Sequence, residues 1–163
     1  MHTAFIGQTG SGKTYHAVKT IQKHLEADIS VVIYNPQKQV FPNHENCKSF
    51  STAKGFYDYL DNLKTDKKIL MYIDESATLL ASEGDERFNT FMTTARHKGW
   101  VLLSVQRPIK IITPSVLSQC SNFIIFKIVY EKDQKFIANT LNIDLKTIKN
   151  IPRYHYIKKL MTA

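Results

Sequence analysis

Apolar residues along this chain fall into short continuous runs and into longer stretches with helical spacing, and the two kinds alternate. The runs HTAFIG, SVVIYN, KILMYIDES, WVLLSVQRP, NFIIFKIVY and YHYIKKL read as strands. Pro36 and Pro108 stop the second and fourth of them. Between the strands, GKTYHAVKTIQKHLEA places Val18, Ile21 and Leu25 on one helical face. STAKGFYDYLDNLK places Phe56, Tyr59, Leu60 and Leu63 inward, with Ser51 or Thr52 as N-cap. DERFNTFMTTARHKG reads as a helix closed by Gly99 at the C′ position. TPSVLSQC reads as a short helix capped by Thr113 with Pro114 at N1, and EKDQKFIANTLN as a further helix. VFPNHENCKSF reads as a loop. Strands that are apolar throughout, separated by helices, belong to a parallel sheet covered on both faces. With no linker, repeat or low-complexity tract, the pattern predicts one α/β domain over residues 1–163.

Composition adds limits. A chain of 163 residues is long enough for a real core. Apolar residues make up 43% and charged residues 22%, an ordinary soluble balance. No apolar run approaches the roughly 20 residues needed to span a bilayer. AFIG is too short for a signal-peptide core, so a cytoplasmic location is expected. The two cysteines, Cys47 and Cys120, are far apart, and six histidines show no ligand spacing, so no structural metal site is expected. The net charge of +8 favours polyanionic partners such as nucleic acid. A lysine-rich soluble protein has the same balance, so charge alone narrows little.

The chemistry begins after the first strand. Gly7-Gln8-Thr9-Gly10-Ser11-Gly12-Lys13-Thr14 fits the phosphate-loop pattern G-x-x-x-x-G-K-[ST] between a strand and a helix. Glycines let the backbone curl so that N–H groups point at phosphate oxygens, and the helix N-terminus adds partial positive charge. Lys13 supplies a point charge for the β and γ phosphates, and Thr14 a hydroxyl for Mg²⁺. A chain of this length matches by accident on the order of 1% of the time, before the strand–loop–helix setting is counted.

Asp74 and Glu75 follow the apolar strand at Ile69–Ile73. Ligands of parallel sheets bind at the C-terminal edge, so both acids are expected to face the loop. Asp74 suits the Mg²⁺ contact of a Walker B motif. A carboxylate directly after it, Glu75, can orient and deprotonate a water aimed at the γ-phosphate. That favours ATP hydrolysis over transfer to a metabolite; the competing reading is an acidic pair at the start of a helix.

The block ARHKGWVLLSVQRP, with IDESATLL before it and YNPQ after the second strand, resembles the FtsK–HerA superfamily of DNA-pumping ATPases. The likeness spans about His2 to Val129, with Asn35 where Asp is common. It implies a RecA-like (ASCE) P-loop NTPase fold with a mostly parallel sheet. It implies that Gln106 senses the γ-phosphate and the attacking water from a central strand tip. Arg96 is the first candidate for an arginine finger reaching a neighbouring subunit, and Arg107 the alternative. His97 and Lys98 are read either as a phosphate-binding patch or as the basic last turn of a helix. The basic, aromatic tail IKNIPRYHYIKKL is read as a sheet-edge strand, with no base-stacking role given to Tyr154 or Tyr156. As an almost bare ATPase core, the chain resembles the genome-packaging ATPases of membrane-containing icosahedral viruses. A hexameric ring on double-stranded DNA, with capsid or membrane vertex proteins as partners, is the expectation that follows, in the host cytoplasm or at a packaging vertex. Zot-like filamentous-phage ATPases are the nearest alternative, and a small-molecule or nucleotide kinase the alternative from another class. A kinase would need an arginine-rich lid, and Arg153 is the lone arginine after Pro108.

Overall fold

The apolar runs assemble into one sheet. In the computed structural model, which describes residues 2–161, seven strands lie in the order β3-β2-β4-β5-β1-β6-β7. They are β1 (His2–Ile6), β2 (Val31–Tyr34), β3 (Cys47–Phe50), β4 (Ile69–Ile73), β5 (Gly99–Val105), β6 (Cys120–Phe126) and β7 (Tyr156–Leu160). Neighbours pair parallel except β6 with β7. β2 and β4 are buried along their whole length, as continuous apolar strands in a doubly covered sheet must be.

The helices are α1 (Lys13–Glu26), α2 (Ala53–Asn62), α3 (Ser76–Lys98), α4 (Pro108–Ile111), α5 (Pro114–Gln119), α6 (Glu131–Leu141) and α7 (Leu145–Lys149). Alternate strand residues serve the two faces. Ile33, Leu70, Tyr72 and Leu102 pack under α1, through Ala17, Ile21 and Leu25. Tyr34, Met71, Ile73 and Leu103 face the other helices, among them α2 and α3, through Phe56, Leu60, Phe88 and Met92. The α1 stripe therefore follows Ala17-Ile21-Leu25 at spacing i, i+4, i+8, with Val18 beside it. In α2 Tyr57 is buried more deeply than Tyr59. Thr52 is the N-cap of α2 and Thr113 that of α5, each accepting a backbone N–H. No helix among the described residues is long and apolar enough to cross a membrane.

Four features differ from the sequence reading. The segment read as a loop ends in β3, whose four residues CKSF carry no apolar run and are held by the edge of β2. Helix α3 starts at Ser76 and kinks at Gly84 (φ 80°, ψ 170°). Gly99 does close α3, its N–H donating to the Ala95 carbonyl, but with ψ −134° rather than in the left-handed cap conformation. It opens β5 with φ 156°, and a Cβ there would lie 1.9 Å from the Ile69 carbonyl oxygen, so its role is the close approach of β5 to β4. Helices α4 and α7 are too short for helical periodicity to show in sequence.

Parallel pairing brings the C-terminal ends of β1, β4 and β5 to one sheet edge. Backbone bonds from Gly7 N–H to the Val105 carbonyl (3.0 Å) and from Gln8 N–H to that of Lys127 (3.0 Å) fix the loop after β1 on that edge.

Candidate functional site

The loop Gly7–Thr14 curls through left-handed backbone at Gly10 (φ 72°) and Gly12 (φ 106°), conformations that glycine adopts without strain. Gly12 begins α1, whose N-terminus has no side-chain cap and no acid in its first turn. Its amides are therefore left to an anion. Lys13 is only 5% exposed. Its Nζ donates to the carbonyls of Gly7 (2.7 Å) and Gln8 (2.9 Å). Burial pushes its pKa down to about 8, partly offset by Glu75 and Asp74. Ser11 Oγ is buried in the loop without a hydrogen-bond partner.

The two acids stand at the end of β4, beside the loop. Asp74 Oδ1 accepts from the Tyr72 hydroxyl at 2.9 Å, while its buried Oδ2 has no partner. Burial raises its pKa, with the Tyr72 bond and Lys13 acting against that. Thr14 lines the same cleft. An oxygen pair of this kind fits Mg²⁺, which is bound by one or two protein oxygens together with phosphates rather than by an all-protein cage. No group of three or more His, Cys, Asp or Glu side chains suited to a metal ion occurs among the described residues.

Glu75 has a left-handed backbone (φ 61°, ψ 63°), which costs a non-glycine residue on the order of 1 kcal/mol or more. Its carboxylate is gripped by two amides: Gln106 Nε2 donates to Oε2 at 2.6 Å, and Gln37 Nε2 to the same oxygen at 3.4 Å. Thr9 in turn donates to Gln106 Oε1 at 3.2 Å. Burial first, then the neighbouring Asp74, raise the Glu75 pKa; Lys13 and Gln106 oppose the rise. Gln106 thus joins the phosphate loop to the acid.

Gln37 and Gln39 also line the cleft, and the sequence reading missed both. They are held there by Asn35. Its Oδ1 accepts from Gln39 N–H and its Nδ2 donates to the Gln39 carbonyl, both at 2.8 Å. Only an amide can do both, which gives Asn rather than Asp a reason at this position. The signal was present in the Asn-Pro stop after β2, the usual place for a binding loop in a parallel sheet.

The two arginines lie elsewhere. Arg96 sits exposed in the last turn of α3, just before β5 begins, at the edge opposite the phosphate loop. The carbonyls of Arg96 and His97 accept from Lys68 Nζ at 3.4 and 2.8 Å, and Lys98 Nζ donates to the Leu60 carbonyl at 2.8 Å. The basic run occupies the last turn of α3, where positive charge favours the helix C-terminus. Arg107 directly follows Gln106 but does not line the cleft and is engaged within its own chain. Its Nε donates to the buried Asp133 at 2.7 Å, and its guanidinium covers the Tyr130 ring at 4.3 Å.

The phosphate loop, the two acids, Gln37, Gln39 and Gln106 border a cleft of about 250 Å³. Its other end is aromatic, with Tyr15 from α1 and Tyr154 from the turn before β7.

No protein-family model matches the chain, and no curated protein sequence matches it. Solved structures do. The DNA-packaging ATPase B204 of Sulfolobus turreted icosahedral virus superimposes with a TM-score of 0.76 at 19% identity, covering 96% of this chain and 90% of that one. The genome-packaging NTPase B204 of Sulfolobus turreted icosahedral virus 2, in complex with ATP-gammaS, matches with a TM-score of 0.74 at 18% identity, over 96% and 90%. The pCW3 conjugation coupling protein TcpA, also with ATPgS, matches with a TM-score of 0.75 at 18% identity, over 98% of this chain and 57% of that one. At these identities the likeness is one of fold, and the RecA-like P-loop ATPase fold expected from the motifs is the fold observed.

Proposed function

We propose that this chain is the subunit of an ATP-hydrolysing motor that moves double-stranded DNA, and that it packages a viral genome into a preformed capsid. The observation that carries the hydrolytic part is the Glu75 carboxylate, aimed into the cleft beside the phosphate loop and gripped by Gln106. The amides of residues 10–14 and Lys13 bind the triphosphate. Glu75 accepts a proton from water as the water oxygen attacks the γ-phosphorus and ADP leaves. Its raised pKa suits that task. Thr14 and the free oxygen of Asp74 would hold Mg²⁺, which supplies charge neutralisation on the β and γ oxygens when bound. Gln106, bonded to both Thr9 and Glu75, registers whether the γ-phosphate is present.

The motor part rests on the neighbours in fold and on the exposed position of Arg96. Arg96 lies at the far edge and cannot reach its own cleft, so a finger role places it in the site of the next subunit and requires a ring, which we take to be a hexamer. A closed ring then exposes basic residues to DNA phosphates without reading sequence. Phosphate release measured with and without double-stranded DNA tests the reading. Stimulation by DNA supports it. Turnover that requires a small acceptor would make the protein a kinase, and ATP binding without turnover would make it a nucleotide-held assembly protein.

A further inference from the structure

The segment Pro152–His155 forms a turn, closed by His155 N–H to the Pro152 carbonyl at 3.2 Å, that lands on the phosphate loop. Arg153 Nε donates to the Gly10 carbonyl at 3.4 Å, and its guanidinium lies over the Tyr154 ring at 4.9 Å. Tyr154 lies beside Gly12, where a Cβ would stand in ordinary van der Waals contact, 3.7 Å from Tyr154 Cδ1. Behind the turn, His16, Phe126 and Tyr156 form an aromatic brace, with ring centroids 5.0 Å (His16 to Tyr156), 5.3 Å (His16 to Phe126) and 5.4 Å (Phe126 to Tyr156) apart.

Folding does not explain Tyr154. Its backbone is left-handed (φ 66°), a strained state for a bulky residue. The residue is also 61% exposed, so burial does not offset the strain. An aromatic ring held out of the core at a strained position, on the rim of a cleft, calls for a ligand. The sheet order says which part of the ligand. Gln37, Glu75 and Gln106 follow β2, β4 and β5, on one side of the loop; Tyr154 precedes β7, on the other. A triphosphate seated on the loop with its terminal phosphate toward Glu75 directs its nucleoside toward Tyr154 and Tyr15.

We propose that the Pro152–His155 turn is the base subsite of the cleft: Tyr154 stacks on the purine ring, and Arg153 anchors the turn to the phosphate loop through Gly10. The inference rests on the reading of the cleft as a nucleoside triphosphate site, but not on hydrolysis or DNA. The test is equilibrium binding of ATP, CTP and inorganic tripolyphosphate, each with Mg²⁺, to the wild-type chain and to Tyr154→Ala and Tyr154→Trp. Base–aromatic stacking predicts that Tyr154→Ala weakens ATP by about tenfold or more. It also predicts a narrowed preference for ATP over CTP, unchanged tripolyphosphate binding, and ATP binding by Tyr154→Trp close to wild type. ATP binding unaffected by Tyr154→Ala overturns the proposal. So does an equal loss of tripolyphosphate, which would mean a distorted loop, or a Trp variant no better than Ala. A wild-type chain that binds neither ATP nor tripolyphosphate would remove the triphosphate reading itself, and the subsite with it.

Discussion

The two edges of the sheet treat their polar groups in opposite ways. At the C-terminal edge Glu75 is strained, Asp74 and Ser11 each keep a buried oxygen without a partner, and Lys13 is charged yet nearly enclosed. At the opposite edge Lys68 and Lys98 cap carbonyls at the end of α3 and α2, Val101 N–H donates to His2 Nδ1 at 3.0 Å although the buried His2 Nε2 has no partner, and Gly99 lets β5 touch β4. One edge gives up stability for a ready anion site; the other closes the fold. Native domains are stable by only about 5–15 kcal/mol, so such a division has measurable consequences.

The largest effect is expected where closure is tightest. Gly99→Ala puts a methyl 1.9 Å from the Ile69 carbonyl oxygen and should destabilise the protein by more than about 3 kcal/mol in urea unfolding. A loss under about 1 kcal/mol would show that the two strands can part there. His2 comes next. Burial lowers its pKa from 6.5 to about 4, so between those values the unfolded chain binds more protons than the folded one. Stability should therefore fall by about 2–3 kcal/mol as pH drops through that window, and His2→Gln should flatten the fall. At the other edge, Gln106→Ala removes the 2.6 Å bond to Glu75. It should slow ATP hydrolysis by about ten- to a hundredfold, equivalent to about 1.4–2.8 kcal/mol of barrier, while shifting the unfolding midpoint little. The smallest stability effect belongs to the exposed Arg96. Arg96→Ala should change unfolding by less than about 0.5 kcal/mol and leave nucleotide binding intact. If it also leaves hydrolysis intact in the assembled ring, Arg96 is not the finger.

The sequence carried the parts whose logic is local. Lys13, Asp74 and Glu75 were legible because a strand end fixes where such residues point, and each β-branched run announced its strand. β3 was not legible, because its pairing comes from the edge of β2 rather than from its own polar residues. Neither were Gln37 and Gln39, which reach the cleft through a side-chain lock at Asn35, nor Tyr154, whose neighbour Arg153 meets Gly10 across a separation of 143 positions in the chain. Arg107 read as the alternative finger because its partner Asp133, in α6, lies 26 residues further along the chain. Contacts that join distant segments leave no periodic trace.

In the proposed function the carboxylate of Glu75, at the end of β4, turns a phosphate cradle into a hydrolase. Single-turnover phosphate release from ATP bound to Glu75→Gln, with double-stranded DNA present, tests it most directly. ATP affinity close to wild type is expected, with release slowed by about 10²–10⁴-fold. Release at the wild-type rate from the Gln variant would contradict it.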